Sequence, residues 1–118
     1  MLVAYLGVGN ATHMGRIEVS GSECLFGDPT NPATLQSGEG RFAITAANGD
    51  QLFVGYDQTS LAMEGPGSPW LLWSAEVYAT GGTGRFETAE VVETVWTGGL
   101  NLLTYETWSI MNGGIRLR

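Results

Sequence analysis

No stretch of this chain repeats apolar residues at helical spacing for ten positions; runs of alternating character, rich in Val, Ile, Thr and aromatics, follow one another instead. A chain with that pattern buries itself through sheets. The pattern predicts strands at 2–8, 13–20, 22–27, 40–47, 51–60, 70–80, 89–97 and 102–111. Strands joined mostly to their sequence neighbours form a sandwich or an up-and-down barrel. The run 70–80 decides between them. Leu71, Trp73, Ala75, Val77 and Ala79 fall on one side, yet Trp70, Leu72 and Tyr78 occupy the other. A strand apolar on both faces needs two covers, and a barrel lumen with a neighbouring subunit outside supplies them. The expected fold is therefore all-β, a single antiparallel eight-stranded up-and-down β-barrel with Gly-rich turns. With 118 residues, the whole chain 1–118 makes one domain.

Turn chemistry supports this reading. Asn48-Gly49-Asp50, between two apolar runs, supplies residues that tolerate positive φ and predicts a tight hairpin. Thr97-Gly98-Gly99-Leu100-Asn101 reads as a second turn, joining the last two long strands. Pro29, Pro32, Pro66 and Pro69 place loops at 28–32 and 64–69, since proline gives no donor to a central ladder. The 18 glycines show no period of three and are expected in turns and bulges.

The most distinctive segment is Ala79-Thr80-Gly81-Gly82-Thr83-Gly84-Arg85-Phe86-Glu87-Thr88-Ala89. Its residues suggest a tight turn opened by two glycines, a short helical turn capped by Thr83, and Phe86 folded back as a plug at one barrel end. A phosphate cradle is a poorer reading, because the following lysine and helix are missing. The segment resembles the Gly-Gly-Thr-Gly-x-Phe-x-x-Ala turn of dirigent proteins and, more loosely, the corresponding turn of allene oxide cyclases. Asn10-Ala11-Thr12-His13-Met14-Gly15-Arg16 and Ala46-Ala47-Asn48-Gly49-Asp50 look like segments of bacterial barrels of the same type. The resemblance implies an eight-stranded barrel, a small hydrophobic ligand, a homo-oligomer (dimer or trimer) and no cofactor. Its implied activity is cyclisation or isomerisation steered by a cavity that holds a reactive molecule in one conformation.

Candidate site residues come from strand periodicity. Glu76 and Tyr78 share one face, as do Glu106 and Trp108. If that face is the lumen, Glu76 and Glu106 are catalytic acid–base candidates, because burial raises a carboxylate pKa. Tyr78, Trp96, Tyr105 and Trp108 are then the ligand walls, and Arg41 anchors a ligand carboxylate. The alternative puts both glutamates in solvent, the usual place for a charge, and leaves the aromatics to a subunit interface. His13 and Cys24 form an imaginable nucleophile pair, but no orienting third group is visible, and a histidine bonded to a backbone carbonyl is the simpler reading.

Composition narrows the function classes. Five arginines, no lysine and twelve acidic residues give a net charge of −7, so a basic footprint for nucleic acid or an anionic membrane surface is missing. One histidine and one cysteine make neither a metal site nor a disulfide framework. The opening apolar run ends at Gly7 without a basic flank, which reads as neither leader nor span and makes cytoplasmic the default location. Two functions remain: a small-molecule-binding barrel, with a cofactor-independent cyclase or isomerase among its forms, or a non-enzymatic, self-associating binding or structural module.

Overall fold

The computed structural model describes residues 2–11, 14–28, 31 and 34–117, with 2–5 by their backbone. The chain is all-β, its eight strands antiparallel: β1 (Leu2–Ala11), β2 (Gly15–Phe26), β3 (Gln36–Thr45), β4 (Gln51–Tyr56), β5 (Ser60–Met63), β6 (Trp70–Gly82), β7 (Glu90–Asn101) and β8 (Thr107–Arg116). Hydrogen-bonded neighbours run β1-β2-β3-β4-β6-β7-β8, and β5 pairs with β6 off that path. One edge of β6 is shared: its Tyr78–Gly82 end pairs with β4 and its Leu71–Ser74 end with β5. β4 and β5 thus act as one strand broken at 57–59. The sheet curls into a half-barrel, and among the described residues no ladder joins β1 to β8. The ring expected from the sequence is curled but open.

Inside the curl, Phe42, Ile44, Leu52, Val54, Tyr56, Ala75, Val77, Phe86 and Trp96 form the main core, with a smaller cluster of Leu25, Leu35 and Leu71. Period-two alternation holds: on β6, Leu71, Ala75 and Val77 are buried while Glu76 is exposed. The Asn48-Gly49 turn is in place, with Gly49 at φ 93° and the Ala46 N–H donating to the Asp50 carbonyl at 2.8 Å.

Three sequence expectations are corrected. Where two strands were expected, at 13–20 and 22–27, one strand runs over Gly15–Phe26, with Gly21 in its interior. The run 97–101 is not a turn but the end of β7, and the turn follows at 102–106. Asn101 makes that turn: its Oδ1 accepts the N–H groups of Leu103 and Thr104 at 2.9 and 3.1 Å. Thr83 does not cap the 3-10 turn Gly84–Phe86; its hydroxyl accepts the Gln51 N–H at 2.9 Å and so ties that turn to β4. Phe86, 2% exposed, is buried in the main core.

A common cause underlies the glycines inside strands. A Cβ on Gly21 would stand 2.3 Å from the Phe42 ring, on Gly40 2.4 Å from Tyr56, on Gly98 2.4 Å from Trp73, and on Gly99 2.6 Å from Trp108. Each glycine is the cross-strand partner of the aromatic that covers it. Large rings lie flat across the sheet only where the neighbouring strand has no side chain. Glycine content here therefore serves packing as well as turns.

Candidate functional site

The open side of the half-barrel is a cleft of about 890 Å³. Its floor is Val19, Phe42, Ile44, Leu52, Tyr56 and Trp96, and its rims are the edge strands β1 and β8. Aromatic rings build the floor: Trp96 stands edge-on to Phe42 at 4.9 Å between centroids and to Trp73 at 5.5 Å. Thr94 is pushed into the wall by a bulge between Val92 and Val95, where Glu93 takes φ 45°, and Gly113 leaves room for its hydroxyl.

One carboxylate reaches this apolar cavity. Glu23, 8% exposed, accepts a hydrogen bond from the Tyr56 hydroxyl and another from Ser37 Oγ at 3.0 Å. Three adjacent strands set up the contact. Glu23 pairs with Gly40, and Gly40 pairs with Tyr56, so the phenol lies over the bare glycine and reaches two strands across. A buried carboxylate is tolerated because charge-assisted donors meet it. Among the lining residues only Glu23 and Arg85 carry charge.

The sequence-derived candidates divide between two faces. Trp96 lies in the floor, and Trp108, 45% exposed, stands on the β8 rim. Glu76 is outside the cleft, exposed on the opposite face of β6, because Ala75 and Val77 take the inward positions. Tyr78 and Arg41 share that outer face, where the guanidinium sits 5.4 Å from the ring centroid and pairs with Glu39 at 2.9 Å. Arg41 is therefore no anchor inside the cavity. Tyr105 and Glu106 lie in the exposed β7–β8 connection, Tyr105 at φ 62° and 77% exposed. Of the two readings of the Glu76–Tyr78 face, the structure shows the one that puts Glu76 in solvent, since Ala75 and Val77 set the inward parity on β6. His13 lies outside the described residues, so its pairing with Cys24 has no structural counterpart here.

Glu23 is the residue the sequence reading passed over. Glu23 shares parity with Ile17, Val19 and Leu25, an inward row that becomes visible only when β2 runs unbroken through Gly21. Tyr56 continues the inward row of Leu52 and Val54.

On the outer face, the Tyr78 hydroxyl donates to Asp57 Oδ1 at 2.9 Å. That bond to the carboxylate holds the phenol above its ordinary 10.0, against a smaller opposing pull from Arg41. Asp57→Ala removes the group that favours the protonated phenol and leaves the cation that favours the phenolate. Ultraviolet difference titration of the variant against the parent is expected to show one tyrosine ionising at lower pH; coincident curves would disprove the contact.

Among the described residues, no group of three or more His, Cys, Asp or Glu is placed to hold a metal ion, and no helix is long and apolar enough to cross a membrane. The chain matches no known family model, no curated protein and no solved structure.

Proposed function

We propose that this protein is a small-molecule-binding half-barrel whose cleft takes an apolar, ring-bearing molecule with one hydrogen-bonding group. The observation that carries the reading is the cavity itself: about 890 Å³, walled by aromatic and aliphatic side chains, with the Glu23–Tyr56 pair as a convergent polar point. Ligand pockets commonly combine these properties. Because the Tyr56 proton is directed to Glu23, the phenol oxygen and the carboxylate offer acceptors, which suit a ligand hydroxyl or N–H.

The finer reading, a cofactor-independent cyclase or isomerase, draws on the resemblance to dirigent proteins and allene oxide cyclases. Within it, the acid–base role falls to Glu23, the carboxylate that lines the cleft, and not to Glu76 or Glu106.

Hydroxylated polycyclic aromatics such as naphthol are suitable probes, since ring stacking near Trp96 and Trp108 quenches tryptophan emission. Saturable one-site quenching is expected. Met111→Trp fills the cleft and should weaken binding by about tenfold or more, the order of effect of overfilling a packed site. Glu76→Gln and Glu106→Gln, both away from the cleft, should bind like the parent. If no member of such a panel binds saturably to the folded protein, the reading fails.

A further inference from the structure

The rims of the cleft are unusual for a ligand pocket. On β1, the consecutive residues 6–11 all line it, and on β8 so do residues 107–111. A wall made by a sheet face presents alternate residues, whereas consecutive residues of both parities mark the main-chain edge of a strand. The cleft is thus bounded on both sides by backbone edges that carry no ladder.

Among the described residues, neither edge is guarded. β1, Leu-Val-Ala-Tyr-Leu-Gly-Val-Gly-Asn-Ala, contains no charge and no proline, and β8 carries a charge only at its last residue, Arg116. Sheets normally protect such edges with lysine, proline, bulges or a covering segment. Apolar side chains are left in solvent beside both: Leu6 and Val8 are 83% and 68% exposed, and Trp108 and Ile110 project from the facing strand.

Strand direction says what would fill the gap. Every step along β1-β2-β3-β4-β6-β7-β8 is antiparallel, so the two edges run the same way. Direct closure would require one parallel pair in an otherwise antiparallel sheet. One strand inserted between them is antiparallel to both and restores the alternation around a closed ring.

We propose that the cleft is a strand acceptor, taking one extended polypeptide segment that pairs through its backbone with β1 on one side and β8 on the other. The occupant needs both of its edges free, as a linear segment has. A second copy of this chain meets that need poorly, because its edge strands already spend one side on β2 or β7. Alternate side chains of the segment point at Val19, Phe42, Ile44 and Trp96 and must be apolar. With a net charge of −7 on the acceptor, a neutral or basic segment is favoured over an acidic one. The inference does not rest on the small-molecule reading, since pairing uses the rims and not the Glu23–Tyr56 point.

The test uses the intact chain and a synthetic peptide of alternating Val and Thr with terminal lysines, equal in length to the 10 residues of β1. Native mass spectrometry should show one peptide per chain. Hydrogen exchange should slow by about tenfold at alternate amides of both β1 and β8 in the same titration. A matched peptide with proline at every second position, which removes half its donors, should do neither. Val8→Lys with Ile110→Lys should weaken binding by about tenfold, as charges guard natural edges; if that variant does not fold, the proline peptide remains the control. Protection at one edge only, or at neither, overturns the proposal. So does protection without peptide that grows with protein concentration alongside a dimer mass, which would make a second copy the occupant. Naphthol binding measured in parallel separates the two readings, because it can survive when strand capture fails.

Discussion

Trp96→Ala is expected to lower the free energy of unfolding by about 3–5 kcal/mol, the range for removing a buried indole or phenyl ring. Domains are commonly stable by only about 5–15 kcal/mol, so the variant should stand near the limit of folding. The position explains the size of the effect. Trp96 is 7% exposed, and its ring meets Phe42 of β3 at 4.9 Å, Trp73 of β6 at 5.5 Å and Tyr56 of β4 at 6.5 Å. Those contacts cross the interior from β7 to β3 and β4, strands that reach β7 in the sheet only by way of β6. Removing the ring therefore loosens the curl itself and not merely one strand pair. Chemical denaturation followed by circular dichroism measures it, with Trp96→Phe expected to recover part of the loss. A change below about 1 kcal/mol would mean that the walls collapse onto the vacancy, since the cost of a cavity depends on how far its surroundings relax. Ligand binding should fall in the same variant, because the cleft loses its central wall.

The all-β fold was legible because period-two alternation is a local property: Leu71, Trp73, Ala75 and Val77 announce one face of β6 without knowledge of their neighbours. The hairpin at Asn48-Gly49 was legible for the same reason, its chemistry being contained in three residues. What the sequence hid depends on register. Gly21, Gly98 and Gly99 look like turn residues until the strand beside them is aligned and an aromatic ring is found over each. Reading Gly21 as a break split β2 and removed Glu23 from the inward row to which it belongs. Whether the Glu76–Tyr78 face or its opposite is the lumen is a comparable question of parity. With apolar residues on both sides of β6, alternation alone does not say which side is inside, and the neighbours that decide it are remote in sequence. The open seam between β1 and β8 is more remote still, being a relation between the first and last strands.

Tyr56→Phe should cost about 1.5–3 kcal/mol, the range for a hydrogen bond to a charged group, and the cost should depend on whether residue 23 is a carboxylate. Phenylalanine keeps the ring over Gly40 and its contact with Phe42, 5.7 Å between centroids, so packing is largely conserved. Only the hydroxyl that serves Glu23 is lost. The carboxylate stays where it is, 8% exposed, with the Ser37 hydroxyl still donating at 3.0 Å. Glu23→Gln preserves shape and an acceptor oxygen while removing the charge. In that background the same Tyr56→Phe change should cost about 0.5–1.5 kcal/mol, as for a neutral pair. A double-mutant cycle with Glu23→Gln, Tyr56→Phe and the combined variant should therefore give a coupling of about 1 kcal/mol or more. Zero coupling in denaturant unfolding would show that the phenol and the carboxylate do not meet, and with that the polar point of the cleft would be lost. Strong coupling accompanied by weaker naphthol binding in Tyr56→Phe would tie stability and recognition to one hydroxyl. That outcome is the expected one, because Tyr56 and the Glu23 to which it donates both line the cavity a ligand would enter.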